Sequence, residues 1–272
     1  MSRTISTQAG RIPAILLAGS RPGSDPIAAA AGVPYKALVP VGGQPMVARV
    51  ARTLLDHPRI GAVFVLMQDP EAFTAHPETA WLAQEADITL VVSGAGISQS
   101  LLDLMDGTGP QTPFLVTTAD NVLLTGAMID SFLAGAEGSD VAVAMVERRV
   151  LLARYPESRR TWLKFRDGWW SGANLFWLGS PQVRRVVAFW RSVEQDRKKG
   201  WKVLAAFGPL LLIASALRLL SLGQGMRLAG RRFGLVARPV AMPQAEACID
   251  ADKPDDVVLI ERILAARSRS VA

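Results

Sequence analysis

From residue 14 to residue 146 the chain alternates short apolar runs with longer amphipathic ones, and this alternation constrains the fold more than any other feature. Ala14 to Leu17, Ala62 to Met67, Ile88 to Val92, Pro113 to Thr118 and Val141 to Val146 read as strands. Gln44 to Asp56, Glu71 to Glu85, Ser98 to Asp106 and Thr125 to Ala136 read as helices, the third with Ser98 as its N-cap. A strand followed by a helix before the next strand can pair in parallel with it, because the helix supplies the crossover. The expectation is therefore an α/β fold: a mostly parallel central sheet with helices on both faces.

The second half is less regular. Asp167-Gly168 is a turn signal flanked by Trp162 to Arg166 and Ala173 to Leu178, which predicts a hairpin. Pro181 to Lys199 and Pro209 to Leu222 read as helices, Gly234 to Val240 as a late strand, and Pro254 to Ala266 as a final amphipathic helix. A chain of 272 residues with 50% hydrophobic side chains can bury one sizeable core. The simplest organisation is one domain over 11–267 with a helical insertion at about 181–232. The ends, 1–10 and 268–272, are expected to be flexible; Arg267 to Ala272 lacks apolar periodicity.

Composition removes several classes of function. The net charge is +6, but the basic residues are scattered, with local clusters at Arg148-Arg149, Arg159-Arg160, Arg197-Lys198-Lys199 and Arg231-Arg232. No basic stripe interleaved with aromatic residues is present, so nucleic acid is not expected as a partner. A single cysteine, Cys248, excludes an intramolecular disulfide and reads as a buried structural thiol. His57 and His76 lie in no motif and read as surface residues. The first apolar run, Pro13 to Gly19, is too short for a leader and follows a polar segment, so a cytoplasmic location is expected.

Val203 to Leu217 carries no charge, yet it falls short of the ~20 residues that a spanning helix needs. Gly208-Pro209 also lies within it. Three readings of 203–222 stand side by side: plain core, a lid beside an acceptor, or a peripheral membrane contact helped by Lys198, Lys199 and Lys202. A contact between two copies of the chain would bury it equally well.

Three constellations carry chemistry. Leu17-Ala18-Gly19-Ser20-Arg21-Pro22-Gly23 follows the first strand, where small residues let backbone amides approach phosphate and Arg21 can donate to phosphate oxygens. Lys36 returns soon after, in Pro34-Tyr35-Lys36-Ala37-Leu38. Neither Walker nor Rossmann glycine spacing is present. Thr118-Ala119-Asp120-Asn121 ends the fourth strand, and ligands in open parallel sheets bind beyond the carboxyl ends of strands. A carboxylate there can hold magnesium or can cap the next helix. Ile249-Asp250-Ala251-Asp252-Lys253-Pro254-Asp255-Asp256 precedes the last helix; Asp255 and Asp256 suit its first turn, and Asp250 and Asp252 lie upstream of it.

Together these residues resemble the MobA-like nucleotidyltransferases, whose GT-A-like fold is related to that of sugar-phosphate and cofactor nucleotidylyltransferases. The match in order and spacing covers 13–147 and 248–266. The resemblance implies that Leu17, Ala18, Gly19, Ser20 and Arg21 contact a nucleotide and Lys36 its phosphates. It implies Asp120 and Asp252 as ligands of Mg²⁺ or Mn²⁺, with Asp250 as a substitute for Asp252. Ser93, Gly94 and Ser98 would meet base and ribose, and Lys164 and Asn174 the acceptor. This chain departs from the family between Arg21 and Lys36, where Asp25 and four consecutive alanines replace a basic, methionine-rich run. Lys253 stands where a small hydroxyl residue is common.

The implied reaction transfers a nucleotide from an NTP, CTP or GTP, to a phosphorylated small-molecule or lipid-linked acceptor and releases pyrophosphate. An ionised acceptor phosphate needs no strong base, so Arg21, Lys36 and Asp120 with its metal would act by positioning and charge neutralisation. Two alternatives share the fold. A GT-A-type glycosyltransferase would want paired acids after the fourth strand, where only Asp120 is acidic. A non-catalytic peripheral nucleotide-binding protein would fit the alanine-rich loop.

Overall fold

The computed structural model describes residues 10–20, 23, 25–94, 96–107, 112–193 and 218–271. In chain order the elements are β1 (Ile12–Leu17), α1 (Pro26–Ala30), β2 (Pro40–Val41), β3 (Gln44–Pro45), α2 (Met46–Leu55), β4 (Ile60–Met67), α3 (Pro70–Ala75), β5 (Ile88–Val92), α4 (Ile97–Asp106) and β6 (Phe114–Thr118). They continue with α5 (Gly126–Ala136), β7 (Val141–Glu147), α6 (Arg148–Arg154), β8 (Leu163–Phe165), β9 (Gly168–Leu178), α7 (Val183–Val193), α8 (Leu222–Arg231), β10 (Ala237–Ala241) and α9 (Pro254–Val271). The strands are mostly parallel and interleaved with helices, as the alternation predicts. They fall into two compact units: residues 1–93, 115–129 and 249–272, and residues 94–114 and 130–248.

In the first unit β1 pairs in parallel with β4 and β6, and β4 with β5. Ala14, Ile15 and Leu16 of β1 are fully buried, so successive residues are covered on both faces, as expected of an inner parallel strand. Truncating Leu16 to Ala would cost ~2–5 kcal/mol. Helix α2 turns Met46, Val47, Val50, Ala51 and Leu54 inward at helical spacing. The alanine-rich departure forms α1, a short helix missed from sequence: Pro26 opens it, and Asp25 accepts from the amides of Ile27 at 2.9 Å and Ala28 at 3.1 Å.

Several expected boundaries change. The helix expected over Glu71 to Glu85 breaks into α3 and a 3-10 turn at Ala80–Ala83. His76 is extended because it precedes Pro77, whose ring disfavours a helical residue before it. The last helix, expected over Pro254 to Ala266, runs to Val271, and Arg267 Nη1 donates to the Leu123 carbonyl at 3.0 Å. His57 is not a surface residue: it is 4% exposed, and its Nδ1 accepts from the Arg59 amide.

In the second unit β7 runs antiparallel to β9 and parallel to β10, and β8 pairs antiparallel with β9 across the expected hairpin. Helices α4 and α7 are joined by Arg184, whose Nε donates to Asp106 at 2.8 Å, and by Arg191 on Gln99. The late strand begins at Ala237 rather than Gly234. The helix expected over Pro209 to Leu222 does not reach its expected end. Arg218 is a left-handed turn residue, and Ser221 caps a new helix, α8, in a capping box with Gln224. Residues 203–217, and with them most of the lid or membrane segment, lie outside the described residues. Among the described residues no helix is long and apolar enough to cross a membrane.

Candidate active site

The parallel register of the first unit sets its strand exits side by side. Leu17 of β1 is level with Leu66 of β4 and Thr118 of β6. Beyond those ends the Ala18 amide donates to the Leu66 carbonyl at 2.8 Å, and the Ala119 amide to the Leu17 carbonyl at 2.9 Å. Ala18 is buried, Gly19 exposed and Ser20 half-buried, so the chain surfaces just where the glycine stands. Arg21 lies outside the described residues.

Asp120 follows β6 by two residues. Its Oδ1 accepts from the Thr118 hydroxyl at 2.5 Å and its Oδ2 from the Lys36 ammonium at 2.8 Å. The segment before α9 comes to the same place, because the Ala251 amide donates to the Asp120 carbonyl at 3.2 Å. That bond leaves Asp250 and Asp252 beside Asp120, and one carboxylate oxygen from each lies within 4.8 Å of the others. Lys36 Nζ also donates to Asp252 Oδ1 at 3.0 Å. Burial alone would push the Lys36 ammonium down, but Asp120 and Asp252 outweigh it and hold its pKa above the ordinary lysine value.

Three carboxylates drawn from two loops stand close enough together to hold a cation among them. The ammonium of Lys36 now stands between two of them. The donor set is all hard oxygen, which suits Mg²⁺ or Mn²⁺ better than a soft metal. Asp250, named as a substitute, proves to be a full member of the cluster. Asp256 is a cap instead: its Oδ2 accepts from the Lys253 amide at 3.0 Å.

A family model described as the MobA-like NTP transferase domain matches residues 14–224. The chain belongs to this family. As a MobA-like NTP transferase it is a nucleotidyltransferase, and its α/β sheet is that family's. A hypothetical transferase from Thermus thermophilus is similar over 91% of this chain and 99% of its own, at 26% identity and a TM-score of 0.74. The 2-C-methyl-D-erythritol 4-phosphate cytidylyltransferase from Thermus thermophilus shares the fold over 94% of this chain and 99% of its own, at 15% identity and a TM-score of 0.52. A CMP:2-keto-3-deoxy-manno-octonic acid synthetase in complex with CTP does so over 95% and 99%, at 15% identity and a TM-score of 0.55. No curated protein matches this chain.

The remaining expected residues of this NTP transferase are placed as follows. Ser93 directly follows β5 in the first unit, its amide on the Met67 carbonyl at 2.8 Å. Gly94 and Ser98 belong to the second unit. Ser98 is not the N-cap of α4; Gly96 is, and Ser98 is buried within the first turn. The residue that orders this turn is Ser100, whose Oγ accepts from the Gly94 amide at 2.9 Å and donates to the Gly96 carbonyl at 2.8 Å. Lys164 lies across from Trp169, its Nζ 4.4 Å from the ring centroid. Asn174 has φ of 48° at the point where β9 slips register against β7.

Sequence reasoning assigned no role to Thr118, Tyr35, Ser100 or Gln68. Gln68 was findable: it is the first polar residue past an apolar strand at its carboxyl end, the positional argument that selected Asp120.

Proposed function

We propose that this nucleotidyltransferase moves an NMP unit from CTP or GTP to a phosphorylated acceptor, a small molecule or a lipid-linked phosphate, and releases pyrophosphate. The observation that carries the reading is the convergence of Lys36, Asp120, Asp250 and Asp252 beyond the carboxyl ends of parallel strands. CTP is the first donor to test, because similar folds include a cytidylyltransferase and a synthetase bound to CTP.

An acceptor phosphate oxygen forms a new bond to the α-phosphorus, the bond from that phosphorus to the bridging oxygen of the β-phosphate breaks, and the electron pair leaves with pyrophosphate. The acceptor is already an anion, so no side chain has to remove a proton. Asp120, Asp250 and Asp252 would hold Mg²⁺ or Mn²⁺, which supplies charge neutralisation on the phosphates. Lys36 adds a cation at the same place, and Arg21 is assigned a like role. The exposed backbone of Gly19 would meet the phosphates. Ser93, Gly94 and Ser98 are assigned to the nucleoside, and Lys164 and Asn174 to the acceptor.

Metal-dependent pyrophosphate release with a panel of four NTPs and phosphorylated acceptors tests the reading. Release with one NTP, dependent on the acceptor and on Mg²⁺, is the expected result. Transfer from a nucleotide sugar without pyrophosphate release would replace it with the glycosyltransferase alternative.

A further inference from the structure

Gln68 and Asp69 leave β4 in succession, and each holds a different segment of the candidate site. Gln68 clamps the loop after β1 with both ends of its amide. Its Oε1 accepts from the Ser20 amide at 2.9 Å, and its Nε2 donates to the Ser20 carbonyl at 2.9 Å. The contact extends to Gly19, where an added Cβ would stand 2.9 Å from Gln68 Nε2. A side chain at 19 would have to displace the Gln68 amide from this position.

Asp69 holds the segment that carries Lys36. Its Oδ2 accepts from the Tyr35 hydroxyl at 3.2 Å, and its Oδ1 caps α3 through the Ala72 amide at 3.1 Å. One turn into that helix, buried Phe73 stacks on the Tyr35 ring at 5.7 Å between centroids. Tyr35 is thus fixed at its hydroxyl and at its ring by the first turn after β4, and Lys36 follows it directly.

We propose that Gln68 and Asp69 are a positioning pair. Through them the exit of β4 presets the Gly19-Ser20 backbone and the Tyr35-Lys36 segment together, before any nucleotide arrives. The proposal deepens the nucleotidyl-transfer reading and rests on it. Neither side chain has to touch the nucleotide. Their effect is to remove conformational freedom from two segments, the Gly19-Ser20 backbone otherwise ordered at the expense of binding and the Tyr35-Lys36 segment at the expense of the transition state.

The test uses the full chain and separates the two residues by what each variant moves. Gln68 is exposed, so Gln68→Met keeps its length without disturbing the core and removes both hydrogen bonds. The KM for the NTP should rise about tenfold while the acceptor KM and the melting temperature stay near wild type. Hydrogen exchange at the Ser20 amide should speed up about tenfold in the same variant. Gln68→Glu retains the reach and the acceptor for that amide, so it should restore the protection that Met loses. Tyr35→Phe keeps the ring stack and loses only the bond to Asp69; it should lower kcat about threefold with little change in NTP KM.

A Gln68→Met enzyme with wild-type NTP KM, or with unchanged exchange at Ser20, overturns the first half. A Tyr35→Phe enzyme with wild-type kcat overturns the second. A wild-type protein that neither binds nor turns over any NTP overturns the functional reading instead, and exchange at Ser20 still decides whether the clamp exists.

Discussion

The two units differ in charge as sharply as in strand pairing. Residues 94–114 and 130–248 carry 19 Lys and Arg against 11 Asp and Glu, whereas the rest of the chain carries 11 against 13. The whole excess of positive charge therefore belongs to the second unit, and the first is slightly acidic. The first unit gathers its acids at one place, Asp120, Asp250 and Asp252, and pairs two of them with Lys36. The second holds no comparable acidic group among its described residues; its ion pairs are structural, such as Arg184 with Asp106. A local cluster of acids in one unit and a diffuse excess of cations in the other suit different ligands. The residues proposed for the metal and triphosphate lie in the first, and Lys164 and Asn174, proposed for the acceptor, in the second.

If that division is correct, the largest loss follows from emptying the acidic cluster. Chelation of divalent metal should abolish pyrophosphate release, and added Mg²⁺ or Mn²⁺ should restore it. Asp120→Asn should lower turnover by about 10²–10³-fold without unfolding the chain, as circular dichroism would show. Turnover unchanged in Asp120→Asn would remove the metal from the first unit and the comparison with it.

Lys36→Ala ranks next. Its ammonium is the cation already seated between Asp120 and Asp252. The expected loss is about tenfold to hundredfold in kcat/KM for the NTP, measured under conditions where Mg²⁺ saturates. An effect confined to the acceptor KM would reassign this lysine.

Substitutions at the acceptor residues proposed in the second unit should be milder and should fall on the other substrate. Lys164→Ala and Asn174→Gly should each raise the acceptor KM about threefold to tenfold and leave the NTP KM alone. Glycine is chosen at 174 because it accepts the φ of 48° without strain, so the side chain is tested and not the backbone. A shift in NTP KM instead would remove Lys164 and Asn174 from the acceptor.

The smallest effect is expected at Asp106. The Arg184 guanidinium donates to this carboxylate and holds its pKa below the usual carboxylate value. With the folded pKa depressed, the contribution is present above the ordinary Asp pKa and is lost as pH falls through the lower folded value. Both groups are solvent-exposed, so Asp106→Asn should lower the melting temperature only slightly, less so in high salt, and should leave kinetics unchanged.

Strand positions were readable because they depend on local apolar runs. β5 was expected over the very residues it occupies, and β4 and β6 began within two residues of their expected starts. Failures came where two local signals competed. Pro77 outweighed the amphipathic pattern around it, and Ser98 was taken for a cap although Gly96 holds that position. Asn174 was picked as a polar residue on a strand, and nothing in its neighbours announces the register slip there. The last helix was ended at Ala266, and the bond from Arg267 to the Leu123 carbonyl could not be read because that partner is remote in sequence.

The sequence by itself determined the fold class, the family, and the kinds of residue that populate the site: a glycine after the first strand, a lysine, and acids after the fourth strand and before the last helix. Each follows from patterns within a few residues, where period and turn chemistry act. Only the tertiary structure decided that Asp250 joins Asp120 and Asp252, that Lys36 stands between two of them, and that Gln68 holds the glycine loop. Those contacts join residues 48 to 216 positions apart. They exist because parallel pairing brings the exits of β1, β4 and β6 level, and a register set by buried side chains along whole strands cannot be read from any one loop.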